Sequence, residues 1–202
     1  MDADWSVELG SEDAALEFPW SSPDGSQRYI DLQAHPERLT DIPEATLFPE
    51  LGELLRAINQ MHSSWRSAKC DVWLDDELGE AEAIYSAKLT LCSYVDLVAC
   101  EEAARFSFER HEHWVKSVAH ELSSEDATPV ACELMVRRCW YHTETSSLRA
   151  GDDAATPGET NPVPGFYVTL YLFGYGDDEA QARARWAEGL QHVTTVLSEF
   201  AP

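Results

Sequence analysis

The sequence predicts an α+β protein: a single, mostly antiparallel sheet of four or five strands with three helices packed mainly on one face. Three observations predict it. Four segments alternate apolar and polar residues with a period of two, three segments place apolar residues at helical spacing, and hairpins and helices take turns along the chain. The expected order is (β)αββαββα, a ferredoxin-like β-α-β-β-α-β unit extended by one strand and one helix.

Residues 1–25 carry seven acids and no base, and are expected as an acidic N-terminal extension of a single domain over 26–202. From Phe18 to Pro49 five prolines and the turn signal Ser22-Pro23-Asp24-Gly25 predict extended, turning chain, with Arg28–Leu32 as a weak first strand. Leu51, Leu54, Leu55, Ile58 and Met61 predict a helix over 47–62, with Thr46 as its N-cap and Pro49 tolerated in the first turn. Cys70, Val72 and Leu74 alternate with Asp71, Trp73 and Asp75 as in a half-buried strand, and 86–98 repeats the pattern. A helix follows over 102–122, with Ala104, Phe108, His111, Val115, Val118 and Leu122 on its apolar stripe. Strands are expected at 130–142 and 166–175, separated by a long mobile loop at 143–165. Asp177 is the expected cap of a last helix carrying Trp186, Leu190, Val193, Leu197 and Phe200.

Composition narrows the function. With 14 Lys plus Arg against 37 Asp plus Glu the net charge is −23, which repels phosphate backbones and anionic lipid; neither nucleic acid nor membrane is an expected partner. The apolar run from Phe166 to Phe173 is too short to span a bilayer, and the start MDADWSVELG has no basic or apolar leader pattern. Five cysteines without a C-x-x-C pair suit free thiols in a reducing compartment, so a cytoplasmic location without disulfides is expected.

The motifs argue against familiar chemistries. Gly174-Tyr175-Gly176 stands where a strand gives way to a helix, as in dinucleotide sites, but Asp177, Asp178 and Glu179 would repel a pyrophosphate; tight chain reversal and helix capping explain the residues better. His111 and His113 point to different sides of a helix, His113 and His120 are too far apart for one ion, and Cys139 and His142 lie on opposite faces of a strand, so no metal site or cofactor is expected. His111, on the apolar stripe, reads as a hydrogen-bonded core residue. No serine-nucleophile or phosphate-loop motif occurs; Cys92, Cys139 and His142 leave Cys–His catalysis open in principle, and the acidic clusters Asp75-Asp76-Glu77 and Asp177-Asp178-Glu179 read as turns and caps. No catalytic residue is assigned.

The informative feature is the side of the sheet away from the helices. Its expected residues are Trp73; Lys88, Thr90, Tyr94; Met135, Arg137, Tyr141; and Tyr167, Tyr171, Phe173, Tyr175. A solvated sheet face carries Lys, Glu, Thr and Gln; aromatics with polar tips mark a surface that gets covered. Three covers are open: the N-terminal segment through Trp5, Phe18 and Trp20, a second subunit, or a ligand or peptide. Trp73, Tyr94, Arg137, Tyr141, Tyr167, Tyr171 and Tyr175 are therefore the candidate binding residues. The favoured reading is a non-catalytic binding protein of chaperone, immunity or adaptor type for a basic protein partner, with self-association also open. The alternative is a small-molecule-binding domain or enzyme that uses the aromatic face as its pocket.

Overall fold

A computed structural model describes residues 1–76, 85–123, 128–142 and 162–199. Its elements are β1 (Asp2–Glu8), β2 (Ala15–Phe18), a 3-10 turn (Pro36–Asp41), α1 (Pro43–Leu47), α2 (Pro49–Ile58), β3 (Trp65–Asp75), β4 (Leu89–Ala99), α3 (Glu102–Arg105), α4 (Phe108–Leu122), β5 (Val130–Tyr141), β6 (Val163–Gly176) and α5 (Glu179–Glu199). The strands form one open six-stranded sheet in the order β1-β5-β6-β4-β3, with β2 following β1 along β5. The β3–β4, β4–β6 and β5–β6 pairs are antiparallel, whereas β1 and β2 run parallel to β5. Because β4 and β5 both oppose β6, they point the same way, and α3 and α4 carry the chain across while β6 later fills the gap.

The α+β class and the mostly antiparallel sheet stand, but among the described residues six strands replace the expected four or five and six helical segments replace three. Both added strands come from residues 1–25; in β1, Ala3, Trp5 and Val7 alternate with Asp2, Asp4, Ser6 and Glu8. The strand expected at Arg28–Leu32 reduces to a single bridge between Ser21 and Arg28, so the strand that was to open a ferredoxin-like unit is absent. Prolines divide the first helix: Pro43 and Pro49 each begin one, because a missing N–H costs nothing at a helix start. Thr46 therefore lies inside α1, its hydroxyl bonding the Ile42 carbonyl, and Phe48 precedes α2. The helix expected over 102–122 breaks before Phe108, where the Ser107 side chain accepts the Arg110 N–H as an N-cap. At the last helix the cap is Asp178, which accepts the Gln181 N–H, while Gln181 reaches back to the Asp177 N–H. Most of the loop expected at 143–165, together with Glu77 and Phe200, lies outside the described residues; the chain is in β6 from Val163.

One face of the sheet is buried under α2, α4 and α5. Leu91, Val95 and Leu97 of β4, Cys132, Leu134 and Val136 of β5, and Val168, Leu170 and Leu172 of β6 meet Leu51, Leu54, Leu55, Val115, Val118, Leu122, Trp186, Leu190 and Val193. Trp186 is fully buried, and its indole N–H donates to Ser93 Oγ at 2.8 Å. His111 belongs to this layer: its Nδ1 lies 2.9 Å from the Ser107 carbonyl, Trp65 meets its ring edge-on, and burial lowers its pKa. It is a core histidine.

Candidate functional site

Strand register lays the opposite face out in rungs. One rung runs Trp73, Cys92, Phe173, Ala131 and Asp2; the next runs Asp71, Tyr94, Tyr171, Glu133 and Asp4; a third runs Lys69, Asp96, Thr169, Met135 and Ser6. Beyond them Tyr167 faces Arg137 and Arg137 faces Glu8. The period-two alternation of each strand puts all of these side chains on one side.

The rings make a continuous path. Trp73 and Tyr94 have centroids 6.2 Å apart, Tyr94 and Tyr171 5.9 Å, and Tyr171 stacks on Phe173 at 6.1 Å with the planes 12° apart. A polar chain crosses this path. Arg137 donates through Nε and Nη2 to Glu8 Oε2 at 2.9 and 2.7 Å and through Nη1 to the Tyr171 hydroxyl at 3.0 Å. The Thr169 hydroxyl donates to Asp96 Oδ1 at 2.7 Å. Asp96 is only 6% exposed, and burial pushes its carboxyl up to about 6 against the opposing pull of Thr169, Lys69 and Arg137. Lys69 holds its ammonium 5.5 Å from the Trp20 ring and 5.6 Å from the Tyr94 ring.

The chain covers part of this face itself. Leu16, Phe18, Ala68, Val98, Cys139, Tyr141 and Tyr167 form a second core, with Trp20 and Tyr29 packed on it, and Trp20 Nε1 donates to the Ala68 carbonyl at 2.6 Å. Phe18 and Trp20 thus act as a cover, whereas Trp5 lies on the helix side, packed against the main core beneath Lys116. Of the seven candidate residues, Trp73, Tyr94, Arg137 and Tyr171 come together and keep solvent-accessible surface. Tyr141 and Tyr167 are buried in the second core, and Tyr175 is buried against Tyr85. Cys139 is fully buried, and burial pushes its thiol up to about 12, far from the thiolate that nucleophilic attack needs. His142 instead lies 3.7 Å from Glu17. All five cysteines are free, and no helix of the described residues is long and apolar enough to cross a membrane.

Charge on this face is uneven. Asp2, Asp4, Glu8 and Glu133 flank the rings on the β1–β5 side, Asp71 and Asp75 flank them on the β3 side, and Asp96 lies between. Along these rungs the cations are Lys69, held across two rings, and Arg137, held by Glu8. Beside β3 a cleft of about 810 Å³ opens between the segment around Trp20–Tyr29 and the turn around Arg38–Glu44, reaching Ser67–Asp71 and Tyr94.

Glu8, Lys69, Asp71 and Asp96 were not among the expected site residues. Asp96 had a readable signal, since it is the one acid in the apolar stretch Leu89–Ala99. No protein-family model matches the chain, and neither a curated protein nor a solved structure shows a significant likeness to it.

Proposed function

We propose that the protein is a non-catalytic binding module for a basic protein partner, of chaperone, immunity or adaptor type, acting in the cytoplasm, and that the Trp73–Tyr94–Tyr171–Phe173 path is its recognition surface. The observation that carries this reading is the pairing of accessible aromatic rings with carboxylates on both flanks. Arginine and lysine side chains are attracted to the faces of Trp and Tyr rings, by about 0.5–2 kcal/mol each, and the flanking carboxylates add Coulombic attraction. The chain's net charge of −23 extends that attraction to long range and speeds encounter with a cationic surface. Arg137, tied to Glu8 and Tyr171, fixes the Tyr171 ring in place and serves recognition through it.

The test is a stopped-flow titration with a short arginine–glycine peptide, followed through tryptophan fluorescence. Association should slow sharply between about 0.05 and about 0.5 M salt, as the Debye length shrinks to a few ångströms. Tyr171→Ala combined with Trp73→Ala should weaken binding by about tenfold or more, as losing two ring–cation contacts implies. A glutamate–glycine peptide should not bind. An on-rate indifferent to salt, or an unaffected double variant, overturns the reading in favour of a small-molecule pocket on the same face.

A further inference from the structure

Resting on that reading, we propose that the partner enters as an extended strand added to the free edge of β3, with basic residues on the side of the open face and apolar residues on the helix side. β3 ends the sheet. Its outward side is marked by Val72, whose N–H is bonded by its own neighbour, Asp71 Oδ1, at 2.8 Å. With a period of two, the backbone groups of Cys70 and Leu74 point outward as well. The lower half of the edge is closed, because the register shifts between Ser67 and Lys69 and Trp20 takes the Ala68 carbonyl. Residues 70–74 remain, about 16 Å of strand at ~3.3 Å per residue. Trp73 and Leu74, 37% and 44% exposed, stand on opposite sides of this stretch and leave both flanks of an added strand something to pack on.

The pattern of β3 specifies the occupant. Asp71 and Trp73 face the open side, while Cys70 and Val72 pack toward the main core with Leu74 beyond them. A strand laid alongside therefore meets acid and indole on one side and aliphatic surface on the other, and its complement alternates basic with apolar residues. A second copy is the weaker occupant. Paired antiparallel about Trp73, β3 would set Asp71 opposite Asp75, like charges that destabilise a ladder. Paired about Val72, it would set Asp71 opposite Trp73, with no cation on the open part of the edge to meet the acid. Asp71 has a further role here: by occupying the Val72 N–H it guards the edge, and a basic residue that draws the carboxylate away releases that N–H to the incoming strand. The other edge offers less, since β1 stops at Glu8 and the chain leaves the sheet until β2 resumes at Ala15.

The experiment uses the full chain and two synthetic peptides of equal composition, one alternating lysine with valine and one with the lysines and valines in separate blocks. The alternating peptide should bind about tenfold tighter, the worth of one or two extra backbone hydrogen bonds. Its binding should slow amide exchange at Val72 and Leu74. Leu74→Pro, which removes an outward N–H and leaves the β4 ladder intact, should abolish the difference between the peptides. If that variant does not fold, exchange in the unaltered protein decides alone. Equal affinity for the two peptides, or unchanged exchange at Val72 and Leu74, overturns the proposal. If both peptides bind, and lose binding in Tyr171→Ala without edge protection, the face reading survives and the strand addition fails; if neither binds, both fail. Protection of the same amides that grows with protein concentration in the absence of peptide identifies a second copy and also overturns it.

Discussion

Gly174→Ala is expected to destabilise the protein by about 3 kcal/mol or more and to lower its melting midpoint by about 6–12 °C. A Cβ at Gly174 would lie 2.5 Å from the Ala182 carbonyl oxygen and 2.5 Å from both the backbone nitrogen and the Cβ of Trp186. These atoms belong to the backbone of α5 or its immediate root, so no rotamer change relieves the contact and the helix itself must move. Moving it lifts Trp186 from a fully buried position and strains its bond to Ser93, the largest single side-chain anchor between α5 and the sheet. Gly176, whose Cβ would meet the Ala182 nitrogen at 2.5 Å, imposes the same closeness one turn lower. The glycines of Gly174-Tyr175-Gly176 thus serve helix-on-strand packing and not the approach of a phosphate. Gly52→Ala is the control: its nearest backbone atom, the Ala45 oxygen, is 3.3 Å away, and the gain in helix propensity offsets that crowding. Urea unfolding of both variants checks the contrast; a Gly174→Ala protein within about 0.5 kcal/mol of wild type would refute the packing argument.

Periodicity made the framework of β3, β4, β5, β6 and α5 legible, because each buries one face against a continuous core and the alternation survives in the residues. The same parity identified the open face, including Arg137 beside Tyr171. Depth along that face was not legible. Tyr141 and Tyr171 share a parity, yet Tyr141 is buried because Phe18, remote in sequence, folds onto it, a contact that no local pattern encodes. The N-terminal strands were hidden for a related reason. In β1 the solvent side is acidic and the core side is only Ala3, Trp5 and Val7, so its strand character comes from pairing with β5. Strand order, with β6 between β4 and β5, is likewise a tertiary fact. The breaks at Pro49 and Ser107, by contrast, carried local signals in a proline and a capping serine.

Asp96 makes the second strong prediction, a stability that falls as pH rises. Its carboxyl is pushed up to about 6 by burial, against 3.8 for an unperturbed aspartate, so between these values the folded protein holds a proton that the unfolded chain has released. The stability linked to that proton is fully present below about 3.8 and is lost as pH climbs through about 6. Above it, the fold carries a buried carboxylate that Thr169 satisfies at one oxygen, with Lys69 and Arg137 each diverted to other partners. A shift of this size corresponds to about 3 kcal/mol. Asp96→Asn keeps an oxygen for the Thr169 hydroxyl and removes the charge, so it should raise unfolding free energy by about 1–3 kcal/mol at pH 8 and leave it nearly unchanged at pH 4. Urea unfolding across that range, wild type minus variant, isolates this residue from the protein's other carboxylates. A variant less stable than wild type at pH 8 would mean that the carboxylate is held by cations after all, and that Lys69 or Arg137 turns toward Asp96 once it ionises.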